Sequence, residues 1–241
     1  MSDDDYTLSI GGKEYEARKI TLPRNRGVVI LFEFENDAPV VMPTGEGIDV
    51  SKWQGVIDWP AVTVRWAFMR ATTGATRIDE QFARNWSESK KAGKLRGAYH
   101  YFIITESGKA QAQKFIATLG GDFGELPPVL DIEPRKLASG EYETPTSKAA
   151  LESELQVWLT EVENATGMRP MIYTNKWALA LLTTQPKWMG EYPLWVARYS
   201  ATPPSPSSLP TAWTEWTCWQ YTSTGTEPGI IGNVDRNRWK P

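Results

Sequence analysis

Residues 127–134 read Pro127-Pro128-Val129-Leu130-Asp131-Ile132-Glu133-Pro134, a short apolar run that carries two carboxylates and stops at a proline. The run fits one strand over residues 129–133, because proline cannot continue a hydrogen-bonded ladder. Successive side chains on a strand point to opposite faces. Leu130 and Ile132 are then expected to face covering helices, and Val129, Asp131 and Glu133 to face an interior. Two carboxylates on one buried face are costly unless they are used. Loss of water and like-charge proximity should raise at least one of their pKa values, as a proton donor near neutral pH requires. A buried ion pair or metal ligation would also account for Asp-x-Glu, so the segment does not decide its own use.

On both sides of this run, strand and helix alternate. Strands are expected at residues 64–70, 97–102, 171–173, 194–197 and 216–221, and helices at residues 82–92, 106–119 and 176–182. The clearest helix carries Leu151, Leu155, Trp158, Leu159 and Val162 on one face, with Thr146 or Ser147 to cap it and Gly167 with Pro170 to end it. Alternation of this kind argues for an α/β fold with a largely parallel sheet. About eight strand candidates with fewer clear helices predict an irregular, TIM-like β/α barrel. Asp131 and Glu133 then sit at the C-terminal strand end, where barrel enzymes place their chemistry. Asp49, in Gly47-Ile48-Asp49-Val50-Ser51, also ends a short strand candidate. Asp235 lies in Gly232-Asn233-Val234-Asp235-Arg236-Asn237. Alone, each reads as a turn or cap residue; together with Asp131 and Glu133 they form a set of four acids.

The first 44 residues differ in pattern. Residues 6–10 and 13–17 read as a hairpin around Gly11-Gly12, and residues 28–34 as a further strand. Residues 1–44 are expected to form a small β appendage with a linker, and residues 45–241 the barrel domain. Three short strands are marginal alone, so the appendage is expected to pack on the barrel or to dock a partner.

Composition narrows the function classes. The net charge is −3 and no basic stripe is present, which gives no case for nucleic acid. No apolar run approaches the length of a membrane span, so no insertion is expected. One cysteine, Cys218, and one histidine, His100, make a zinc site improbable, and no cofactor or metal is called for. Cys218 reads as a small buried hydrophobe. If Tyr99 and Tyr101 face inward, His100 between them faces outward and is structural, which argues against a serine-histidine-aspartate triad. Twelve tryptophans are a hint of sugar binding, tempered by the use of tryptophan in cores.

These segments resemble the glycoside hydrolase family 25 lysozymes, the Chalaropsis-type muramidases of bacteria and phages. The resemblance is carried in order by Gly47-Ile48-Asp49-Val50-Ser51 with Gln54-Gly55, Gly97-Ala98-Tyr99-His100-Tyr101-Phe102, and Leu130-Asp131-Ile132-Glu133. Ile172-Tyr173-Thr174, Leu194-Trp195-Val196-Ala197, Trp219-Gln220-Tyr221 and Gly232-Asn233-Val234-Asp235 complete it. It covers roughly residues 46–239 and leaves residues 1–44 outside. It implies cleavage of the β-1,4 bond between N-acetylmuramic acid and N-acetylglucosamine in peptidoglycan, with net retention. Glu133 matches the acid/base, Asp131 the neighbouring carboxylate, and Asp49 and Asp235 the supporting aspartates. Tyr99, Tyr101, Tyr173 and Trp195 match wall and subsite positions.

In a retaining enzyme of this kind, a carboxylate attacks the sugar, or the substrate's own N-acetyl group does so. The second route is preferred, with Asp131 steadying the oxazolinium. A family 18 chitinase would need an aspartate where Val129 stands. A non-catalytic glycan-binding module on the same barrel is the competing reading. The chain is expected to act as a monomer. No basic leader followed by an apolar run reads at the start. The expectation is therefore synthesis in a host cytoplasm, with release as a phage lysin or carriage on a virion, or an extracellular protein whose signal has been removed.

Overall fold

The computed structural model describes residues 5–10, 13–21, 28–32, 43 and 45–240. The chain forms two compact units, Met1–Val40 and Val41–Pro241. In the first, β1 (Asp5–Ile10), β2 (Lys13–Thr21) and β3 (Val28–Phe32) form an antiparallel sheet in that order. Ile10 pairs with Lys13, which leaves two residues for the turn. The Gly11-Gly12 turn itself, residues 33–34 of the expected third strand, and most of the linker lie outside the described residues.

The second unit contains β4 (Glu46–Val50), β5 (Trp66–Thr73), β6 (Arg77–Ile78), α1 (Phe82–Lys91), β7 (Leu95–Tyr101), α2 (Gly108–Leu119) and β8 (Val129–Asp131). It continues with α3 (Lys148–Thr166), β9 (Met171–Thr174), α4 (Lys176–Leu182), β10 (Leu194–Ala197), β11 (Cys218–Gly225) and β12 (Val234–Trp239). Eight strands close into a ring in the order β4-β5-β7-β8-β9-β10-β11-β12, and β12 pairs back onto β4. The pairings from β4 round to β11 are parallel, whereas β12 runs antiparallel to both neighbours. β6 is an extra strand hairpinned onto β5. The fold is an irregular β/α barrel.

Side-chain alternation builds the two cores. Trp66, Phe68, Tyr99, Val129, Met171, Tyr173, Trp195, Cys218 and Trp239 fill the barrel interior. Leu130 and Ile132 belong to the outer core with Leu155, Trp158, Leu159 and Val162 of α3, as the run at 127–134 predicts. Ser147 caps α3, accepting from the Ala150 N–H at 3.3 Å, and Gly167 ends it in the left-handed region at φ 68°. His100 faces outward. It stacks on Trp158 with centroids 5.5 Å apart and lies between Thr72 Oγ1 at 2.6 Å and Gln111 Oε1 at 3.0 Å. Gln111 spends its amide N–H groups on the Ile103 and Glu106 carbonyls. Its Oε1 therefore accepts the His100 Nε2 proton, and Nδ1 accepts from Thr72. Burial pushes the imidazole down to about 4, so it is neutral at pH 7.

Gly97 lies on the inner face of β7, where an added Cβ would meet the Phe68 ring. Phe68 is fully buried and stacked on Trp195 at 4.6 Å, so it cannot move aside. Gly97→Ala is expected to cost about 1–3 kcal/mol in a urea titration. A midpoint equal to that of the unsubstituted chain would show that the interior has room for the added methyl group.

Three expectations are corrected. The strand expected at residues 129–133 stops at Asp131, so Glu133 stands beyond it. The strand expected at residues 216–221 runs from Cys218 to Gly225. Asp235 is neither a turn nor a cap residue but lies within β12. That strand was hidden because its middle residues, 235–238, are polar on both faces and only Val234 and Trp239 at its ends are apolar. Asp235 and Asn237 point to the barrel mouth, while Arg236 outside pairs with Glu46 at 2.7 Å and Glu227 at 3.0 Å.

Candidate active site

Asp49 on β4 and Asp235 on β12 are direct register partners, so their side chains share one face at the barrel mouth. Asp131 closes β8. The chain continues alongside β9 for one more step, with the Ile132 N–H donating to the Tyr173 carbonyl at 2.9 Å and Thr174 Oγ1 donating to the Ile132 carbonyl at 2.8 Å. These two bonds hold Glu133 in the alternation although the strand has ended. A cleft of about 350 Å³ opens there. Asp49, Asp131, Glu133 and Asp235 line it together with Tyr99, Tyr101, Tyr173 and Trp195, so the fold brings all eight residues singled out in the sequence into one cavity.

The cleft is short of positive charge. Arg70 is the one cationic side chain among its described lining residues, and it is tethered by Asp79 at 3.0 Å. Four carboxyls facing one another with little water cannot all ionise. Burial, reinforced by the Asp49 charge, pushes Glu133 up to about 7. Burial with the charges of Asp49 and Glu133 pushes Asp235 up to about 8. Asp131 is raised well above the usual carboxylate range, first by burial and then by Glu133. Asp49 rises only to about 6, because Asn237 and Gln220 donate to it and offset part of its desolvation. The rise foreseen for one acid thus extends to all four.

The network behind Asp49 was not foreseen. Its Oδ2 accepts from Gln220 Nε2 at 2.9 Å and Asn237 Nδ2 at 2.8 Å. Asn237 Oδ1 accepts from the Trp195 indole at 2.8 Å, and Gln220 Oε1 accepts from the hydroxyls of Tyr173 at 2.9 Å and Tyr199 at 3.2 Å. Both amides are buried. The Asp49 carboxylate is thereby fixed in orientation, and two aromatic walls of the cleft are locked to it. Trp195 and Tyr173 pack edge to face at 4.8 Å. Asn237 was within reach of sequence reasoning as the second residue after Asp235 on one strand face. Arg70, Trp53 and Tyr199 gave no comparable signal. Asp131 Oδ1, by contrast, is buried without a hydrogen-bond partner among the described residues.

Comparison with known proteins agrees with this arrangement. Residues 48–230 match the family described as glycosyl hydrolases family 25. An Escherichia coli K12 protein, the uncharacterized protein YegX, is 38% identical over 203 residues, which cover 80% of this chain and 69% of that protein. Lysozyme M1 of Streptomyces globisporus is 35% identical over 209 residues, covering 80% of this chain and 67% of the relative. The crystal structure of the bacterial lysozyme from Streptomyces coelicolor superposes with a TM-score of 0.72 at 31% identity, covering 83% of this chain and 93% of that one. With its barrel closed and its four acids gathered at one mouth of the ring, the chain belongs to the glycosyl hydrolases of family 25.

Proposed function

We propose that this glycoside hydrolase is an N-acetylmuramidase acting on the bacterial cell wall. It would cleave the β-1,4 bond between N-acetylmuramic acid and N-acetylglucosamine with net retention. The observation that carries the reading is the set of four carboxyls with raised pKa values in one cleft, lined by locked aromatic rings. Glu133, still protonated near pH 7, donates to the glycosidic oxygen as the bond breaks. The acetamido oxygen of the muramic acid attacks the anomeric carbon, and the unpartnered Asp131 Oδ1 accepts the acetamido N–H, steadying the oxazolinium. Glu133, now a carboxylate, takes a proton from the water that opens the ring, so the starting configuration is restored. Asp49, ionised above about 6, keeps the cleft's field negative, which favours the oxocarbenium-like charge and helps to hold Glu133 protonated, while Asp235, raised to about 8, stays largely neutral near pH 7.

Mass spectrometry of digested peptidoglycan tests the assignment. New reducing ends on muramic acid support it, and new ends on glucosamine overturn it. Binding without any new ends would instead favour a glycan-binding module. The pH profile follows from the acid role. The acid form of Glu133 is lost as pH rises through about 7, so kcat/KM is expected to fall about tenfold per unit above that point. A flat profile between pH 6 and 9 would remove Glu133 as the donor.

A further inference from the structure

Two of the twelve tryptophans stay far out of the core, Trp53 at 77% and Trp177 at 53% exposure. An exposed indole forgoes apolar burial, so folding alone gives no reason for it. Trp177 is also held in place. Tyr142, itself 45% exposed, meets it edge to face with ring centroids 4.8 Å apart. The two rings come from different segments. Tyr142 lies in the hairpin of residues 135–143, which is closed by hydrogen bonds of 2.8 Å from the Leu137 N–H to the Glu141 carbonyl and from the Glu143 N–H to the Arg135 carbonyl. Trp177 lies in the first turn of α4, which Asn175 caps by accepting from the Ala178 N–H at 2.8 Å.

Both segments leave the C-terminal ends of adjacent strands, β8 and β9, at the end that carries the carboxyls. Tyr101 in the cleft wall lies within electrostatic reach of Arg135 and Glu143 of the hairpin. In the ring of strands, β8 and β9 stand opposite β4 and β12, and Trp53 follows β4. Trp53 lines the cleft, and Trp177 and Tyr142 follow strands on the opposite side of the ring, outside the cleft lining. Arg135 and Glu143 of the hairpin are paired with each other at 2.9 Å.

We propose that Tyr142 and Trp177 form a distal glycan platform, on which the apolar face of a pyranose in a long peptidoglycan strand stacks away from the bond that is cut. This rests on the glycan reading above. A flat ring already braced by a neighbour loses little conformational freedom on binding. One stack is weak alone, and it counts when the same strand also occupies the cleft, because the second contact is then intramolecular. The platform thus selects long strands over short fragments.

The test uses the full chain carrying Glu133→Gln to stop turnover. Peptide-free glycan strands and a tetrasaccharide from the same peptidoglycan are titrated by calorimetry. Adding Trp177→Ala is expected to weaken the long strand about tenfold and the tetrasaccharide less than twofold. Tyr142→Ala should act in the same sense, and Trp177→Phe should recover most of the loss. Equal long-strand affinity in the Trp177→Ala protein overturns the platform, and so does an equal loss for both lengths. Reducing-end release by the unsubstituted chain reports separately. Release with unchanged long-strand binding removes only the platform. Length-selective loss without release removes the muramidase reading and keeps the platform.

Discussion

Glu133→Gln is expected to lower reducing-end release from peptidoglycan about a hundred- to ten-thousandfold, and to make the protein more stable above pH 7. The two effects share one cause. Glutamine keeps the size of glutamate but cannot donate a carboxyl proton, so the leaving oxygen departs unprotonated. The carboxyl of Glu133 is raised from 4.5 to about 7 in the folded chain, chiefly by burial. As pH rises through that window the unfolded chain loses its proton first, so the native state is progressively disfavoured. The penalty is complete above pH 7 and absent below 4.5, and at 1.36 kcal/mol per unit it approaches roughly 3 kcal/mol. Glutamine does not ionise and escapes it. Melting curves of both proteins at pH 5 and pH 8 check this. A stabilisation of equal size at the two values would sink the charge argument, and retained cleavage would sink the catalytic one. Active sites that store such costs are where function and stability trade against each other.

The largest loss of stability is expected at the other end of the barrel. Arg96 stands near the start of β7 with its side chain 1% exposed. Its Nη2 donates to Asp122 at 2.8 Å and to Glu125 at 2.8 Å, and its guanidinium lies over the Trp86 ring at 4.3 Å. The hydrogen bond from Arg96 is the chief reason that the Asp122 carboxyl lies far below the ordinary carboxylate range. Arg96→Met fills most of the space but takes the guanidinium away from two acids and the Trp86 carbonyl, leaving Asp122 with Lys90 Nζ at 3.1 Å and Glu125 with the main-chain N–H of residue 96 at 2.9 Å. Removing one partner of a buried ion pair costs about 3–5 kcal/mol, and the partial exposure of both acids favours the lower figure. Urea unfolding measures it, and a loss under about 1 kcal/mol would refute the account. Because Arg96 sits at the strand starts and the carboxyls at the strand ends, kcat of the folded protein should stay unchanged.

Local pattern carried much of the fold. The two-residue period at 129–133 placed Leu130 and Ile132 outside and Val129 inside, and the apolar face of α3 appeared in full from Leu151 to Val162. Period-based reading failed at β12, where an inner face devoted to the site removes the apolar half of the alternation. It also overran β8, because Glu133 keeps the alternation after the ladder bonds have ended.

From the order of residues alone came four candidate acids, Asp49, Asp131, Glu133 and Asp235, with Tyr99, Tyr101, Tyr173 and Trp195 around them, and the strand ends of Asp49 and Asp131 but not the strand of Asp235. Local periodicity and ordered motifs suffice for that, since both are written within a few residues. How those groups behave came from residues brought together by folding. Gln220 and Asn237 reach Asp49 from 171 and 188 residues away and hold it more acidic than Glu133 and Asp235. Desolvation and Coulomb energy depend on distance and surrounding water, which no neighbouring residue encodes. The same closure of the barrel left Trp177 braced in the open at the rim, where its place in the sequence gave no sign of it.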